Sequence, residues 1–297
     1  MSQSKNANLI ENNINRIDKY QRSSRNVGFI VAVVKRFGDE KVGYLGALIT
    51  YYGFLSLFPL LLILTSVLDI VASGNPEIKV KILEYASSYV PILGDQLQSN
   101  IPGSSKSGVA LFVGLLFLFY GARGVADAFR HAVNSIWHTP KGQLQTFPQN
   151  YLSSVYIILL GGCGLIASAG LATYASGLGD FFLFKILSVA LGSILLIATF
   201  YGLFRIAVTK TEVSHGDLVL GAVLSGLGIL LLQLVGGFIL ANQLKNLRNL
   251  YGTFALVLGL LFWIYLQVRV VLFAVMINVV HKYRYWPVCI SADEKIT

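Results

Sequence analysis

The sequence predicts an all-α polytopic membrane protein of about six transmembrane helices with additional amphipathic interfacial helices, and three observations carry that reading. Hydrophobic residues make up 55% of the 297 and charged residues only 12%, with a mean hydropathy of +0.67. A soluble domain carries roughly a quarter charged residues. Six apolar runs of spanning length follow one another, at 44–71, 108–128, 151–175, 181–208, 218–241 and 253–280. About twenty such residues cross a bilayer as a helix. The charges gather between the runs, as they do when lipid is the solvent of the rest.

The first 43 residues hold Lys5, Arg16, Lys19, Arg22, Arg25, Lys35, Arg36 and Lys41, and from Val27 to Val34 they turn apolar. A basic amphipathic stretch before a span predicts an interfacial helix. No apolar h-region precedes it, so the first span is expected to act as its own insertion signal. That span contains Pro59, whose missing N–H predicts a kink. The second run has a clean core only from Val109 to Tyr120 and takes in Arg123 and Asp127 at its end. Between them, Asn75-Pro76-Glu77 reads as a helix start, and Ile78, Ile82, Tyr85, Tyr89 and Leu93 recur at helical spacing. An outer amphipathic helix over about 75–99 follows. Residues 281–297 form a polar tail.

Orientation follows from lysine and arginine. One side of the six-span arrangement, including both termini, holds sixteen, and the other holds six. The positive-inside rule then predicts that both termini lie on the cytoplasmic side. The net charge of +9 would point to nucleic acid in a soluble protein, but here it is an orientation signal and no nucleic-acid partner is expected. Cys163 and Cys289 offer no disulfide framework, and four scattered histidines form no metal motif. No phosphate-binding loop of the G-x-x-x-x-G-K-[ST] type is present. No cofactor and no metal is expected.

Polar residues inside lipid are costly and therefore informative. Arg269 lies near the middle of the sixth run, with Gln267 two residues earlier and Gln233 in the fifth. Asp69 of the first span is the acid of suitable type to pair with Arg269, although their depths disagree. With Tyr51, Tyr52 and Ser56 of the first span, Arg269, Gln267 and Gln233 make a candidate substrate path. Arg123, Asp127, Arg130 and Asn134 are spaced four, three and four apart, hence on one helical face. They make a candidate cytoplasmic mouth or a local ion-pair network. Gly164, Ser168, Ala172 and Ser176, and Gly221 with Ser225, are small-residue faces that allow close helix approach. Trp137, Tyr283, Tyr285 and Trp286 fit an interfacial aromatic belt.

These residues resemble the YihY/BrkB family of bacterial inner-membrane proteins, over most of the chain from about 30 to 285. Ala47-Leu-Ile-Thr-Tyr-Tyr-Gly-Phe-Leu-Ser-Leu-Phe-Pro59 resembles the family's A-x-x-x-YY-x-x-x-SLFP, and Asn134-Ser-Ile-Trp137, Tyr251-Gly-Thr253 and Trp263-Ile-Tyr265 follow in the family's order. Ala274-Val-Met276 departs from it, since the family's G-A-E pattern would put a glutamate where Met276 stands. Arg269 replaces a residue that is more often neutral and polar. The resemblance implies a six-helix plasma-membrane protein, some of whose relatives carry an old ribonuclease label while others have been suggested to move lipids or solutes. Hydrolysis of RNA needs a metal or acid–base constellation that the basic segments do not offer. The expectation is a non-enzymatic transporter or flippase-like exporter of a lipid or small polar solute, in contact with membrane lipids, with a homo-oligomer admissible. The alternative is a non-transporting scaffold for envelope proteins that docks through the 75–99 helix.

Overall fold

The computed structural model describes residues 25–71, 107–177, 182–251, 254–286 and 288, so the predicted outer helix at 75–99, the first 24 residues and most of the tail lie outside it. Seven α-helices make up the described chain: α1 Arg25–Asp39, α2 Val42–Val71, α3 Ser107–Ile136, α4 Gln149–Gly177, α5 Phe182–Ala207, α6 His215–Tyr251 and α7 Phe254–Tyr283. No strand occurs among the described residues. Five of the helices are long and apolar enough to cross a membrane, and α2 contributes a shorter apolar stretch, Val42–Leu57.

The six predicted spans correspond to α2 through α7, but two helices outrun by two turns or more the apolar runs that announced them. The second run is predicted to end at 128, whereas α3 continues to Ile136. Charge ends a lipid-soluble stretch without ending a helix, because the backbone ladder is indifferent to side-chain polarity. What stops α3 is local chemistry. The His138 and Thr139 amides donate to the Ser135 and Asn134 carbonyls, with His138 at φ 50°, and Pro140 follows. This is the left-handed cap that satisfies orphan carbonyls. In the same way α6 runs to Tyr251, past the predicted 241, through a stretch without glycine or proline.

The helices associate in neighbouring pairs, α2 with α3, α4 with α5 and α6 with α7, and α7 also packs against α2 and α1. Small residues set the approach. A Cβ on Gly121 would meet the Ser56 Cβ at 2.9 Å, and one on Gly221 would meet the Ala274 carbonyl at 2.7 Å. Pro59 is buried and α2 continues through it to Val71.

The densest packing lies at the end of the bundle that carries α1. Ile136 of α3 and Trp137 just beyond it, Phe204 of α5, Leu218 of α6 and Met276 and Val280 of α7 are fully buried there. Met276 is thus a core side chain in this protein. Apolar groups elsewhere face outward, including Phe117 and Tyr120 of α3, Ile166 of α4, Ile194 of α5 and Leu231 of α6. Such a surface is a liability in water and ordinary against lipid. The α6 start is fixed to the α7 end: Asp217 accepts from the Ser214 amide at 2.7 Å as a capping box, and Lys282 bonds the same carboxylate.

Candidate functional site

A cavity of about 380 Å³ lies between α2, α3, α4, α5, α6 and α7. Its walls are apolar, with Ile49, Phe129, Phe200 and Val271 among them, and the polar side chains on it are Ser56 and Gln267. Ser56 donates its hydroxyl to the Gly53 carbonyl at 2.7 Å, which leaves the oxygen lone pairs as acceptors toward the cavity. Gly161 and Gly162 of α4 complete the wall, and nothing stands within 4 Å of where a Gly162 Cβ would be. The size falls within the usual range of ligand pockets, about 300–1,000 Å³.

The candidate substrate path does not assemble as one surface. Ser56 and Gln267 meet at the central cavity. Tyr52 instead lines a neighbouring basin of about 460 Å³ with Tyr120, Arg123 and Asp127, and the exposed Tyr51 ring lies edge-on to it at 5.3 Å. Gln233 is exposed on α6. Arg269, whose mid-span charge calls for the bundle interior, a water-filled cavity or an anionic ligand, is exposed on the far side of α7 and lines an outer groove. The reason is helical geometry: residues two apart are turned by about 200°, so Gln267 and Arg269 must look opposite ways. The side chain of Asp69, the acid considered as its partner, lies outside the described residues.

The four residues predicted on one face of α3 do come together. Asp127 lies between Arg123 at 3.4 Å and Arg130 at 3.6 Å, and accepts the Ser154 hydroxyl at 2.6 Å. The Arg123 guanidinium also covers the Tyr151 ring at 3.9 Å. Arg130 is buried, donating to the Asn150 carbonyl at 3.0 Å and to the Asn150 side-chain oxygen. Buried Asn134 ties α3 to the end of α5: its amide nitrogen donates to the Ala207 carbonyl at 2.8 Å, and its oxygen accepts from the Thr209 amide and hydroxyl. Arg130, Asn134, Asn150 and Gln145 line a second basin of about 400 Å³ that shares Asp127 with the first. Two arginines against one carboxylate give this layer a net positive charge.

Three features escape the sequence reading. Asn278 is buried in α7, where its oxygen accepts the Gly221 amide at 2.6 Å. It stands as a lone polar residue in Val275-Met-Ile-Asn-Val-Val280, so the signal was present. Asn150 and Ser154, which hold Arg130, show no pattern, because they meet α3 only across a helix pair. Glu40, in the turn after α1, lies 3.3 Å from Arg36 and 3.5 Å from His138, and burial pushes its carboxyl above the ordinary 4.5 against the pull of both. Among the described residues no three His, Cys, Asp or Glu side chains gather as a metal site.

A family model described as Virulence factor BrkB matches residues 33–288. A UPF0761 membrane protein of Chromohalobacter salexigens is 26% identical over 251 residues, covering 81% of this chain and 60% of the relative. A second UPF0761 membrane protein, from Nitrosospira multiformis, is 25% identical over 279 residues, covering 88% and 62%. The chain therefore spans about three fifths of the length of the curated relatives it matches. No solved structure matches it. With its family model spanning every described helix but the start of α1, the chain is a membrane protein that belongs to the BrkB family.

Proposed function

We propose that this protein is a non-enzymatic carrier that moves a lipid or small polar solute across the bacterial plasma membrane by way of the central cavity. The observation that supports the reading is the composition of that cavity, apolar walls with Ser56 and Gln267 as isolated polar points. An amphiphile matches it better than a bare ion, because an ion would need a ring of charges or carbonyls to replace its water. The positively charged layer of Arg123, Asp127 and Arg130 lies at the basic end of the same bundle, where it would attract anionic substrates from the cytoplasm. In this reading both termini are cytoplasmic, on the side with the excess of lysine and arginine.

Reconstitution into liposomes tests it. Flux of a fluorescent phospholipid, or of an entrapped osmolyte, should exceed that of protein-free vesicles and fall when Gln267 is replaced by leucine. Equal rates with and without protein across a panel of lipids and osmolytes would leave the scaffold reading in its place.

A further inference from the structure

Arg269 has no part in the central cavity, yet it is the one cation set midway along the apolar α7. Its guanidinium lies 5.4 Å from the Phe37 ring of α1 and 5.5 Å from the Tyr265 ring, and among the described residues no carboxylate pairs with it. The groove it lines, about 490 Å³, is otherwise walled by Val34, Phe37, Leu224, Val270, Phe273 and Ile277. This is a surface for hydrocarbon with one charge that no described residue neutralises.

The depth of that charge can be read from α2. Gly46 packs against Val268 and Leu272 of α7, while Leu48 and Tyr52 line a basin with Arg123 and Asp127 of α3. Arg269 therefore stands at the level of the charged layer, on the opposite face of the bundle. A cation at that level, facing outward with no counter-ion among the described residues, is stabilised by an anion from the lipid itself. Beside it, α1 exposes Val27, Ile30 and Val34 on a helix that also carries Arg25, Lys35 and Arg36, the pattern of a segment seated among acidic headgroups.

We propose that the groove between α1, α6 and α7 binds one anionic glycerophospholipid, with its phosphate on the Arg269 guanidinium and an acyl chain along Val34, Phe37 and Phe273. A guanidinium presents paired donors that match two phosphate oxygens, which a lysine would not. The apolar wall and the charge are satisfied by the same molecule. The site does not rest on the transport reading, because the cavity lies on the other face of α7.

The test is lipid retention by the purified full chain, read by native mass spectrometry after exposure to phosphatidylglycerol or phosphatidylcholine in mixed micelles. Phosphatidylglycerol should be retained about tenfold better, equivalent to ~1.4 kcal/mol. Arg269→Gln should drop it to the phosphatidylcholine level, Arg269→Lys should keep part of the preference, and Lys141→Gln should keep all of it. Val34→Ser, which leaves the charge in place, should weaken both lipids without altering their ratio, so a folding defect of the arginine variant does not decide the matter. Four results overturn the proposal. They are an undiminished preference in a well-folded Arg269→Gln, equal retention of the two lipids, displacement of the lipid by millimolar inorganic phosphate, and lipid binding that appears only after residues 2–24, with Glu11 and Asp18, are removed.

Discussion

Gln267 and Arg269 stand two residues apart on α7 and serve opposite sides of it, the first on the cavity at the centre of the bundle and the second in the groove beneath α1. The separation divides the polar groups of this span into two sites with independent chemistry. A change at one should leave the other intact, which makes the sites experimentally separable.

Asn134 is the joint between α3 and the end of α5. It donates to Ala207 and accepts from Thr209 and the Thr139 hydroxyl while almost wholly buried. Asn134→Ala strips partners from several buried groups at once, each of which costs about 1–3 kcal/mol when left unpaired. The expected loss is roughly 3 kcal/mol, read as a lower melting temperature of the detergent-solubilised protein. Thr209→Ala should lose less, since one bond to Asn134 survives through the backbone amide.

The α6–α7 pair depends on Gly221. A Cβ there would strike the Ala274 carbonyl and the Asn278 amide that accepts the Gly221 N–H. Gly221→Ala should therefore destabilise by about 1–3 kcal/mol, the usual cost of overpacking. Gly170 has nothing within 4 Å of its would-be Cβ, and Gly170→Ala should be neutral or stabilising by up to ~1 kcal/mol through helix propensity. Thermal melts of the two variants side by side separate a packing glycine from a dispensable one.

Glu40 should make the α1 junction sensitive to pH. Burial raises its carboxyl above 4.5, and His138 and Arg36 oppose the shift without cancelling it. A carboxyl raised in the folded state adds stability below its ordinary value, and that contribution is lost as pH rises through the raised value. Glu40→Gln removes the dependence. The melting temperature of the variant should gain on that of the wild type as pH climbs from below 4.5, by roughly 2 °C for each ~1 kcal/mol involved. A constant difference at all pH values would mean that Glu40 does not titrate in that interval.

The spans and the face shared by Arg123, Asp127, Arg130 and Asn134 were legible because both are periodic: apolar runs have a length, and a helical face has a spacing. Helix ends were less legible, as α3 and α6 show, because hydropathy reports the solvent and not the backbone. Depth alone did not tell which side of α7 Arg269 takes, although the two-residue step from Gln267 already put the two on different faces. The pairing of Arg130 with Asn150 and Ser154 was not legible, since it depends on how α3 and α4 cross. The cavity itself belongs to this last kind, built by six helices and visible in none of them.

The most direct measurement is therefore flux through liposomes by a protein whose cavity has been filled from Gly162, where a side chain meets no neighbour within 4 Å. Gly162→Phe and Gln267→Leu, reconstituted at matched density with the wild type, should each cut flux of the transported lipid or solute by tenfold or more, corresponding to ~1.4 kcal/mol or more. Arg269→Gln should retain most of it. Undiminished flux through a well-folded Gly162→Phe, or none above empty vesicles for the wild type, would contradict the account.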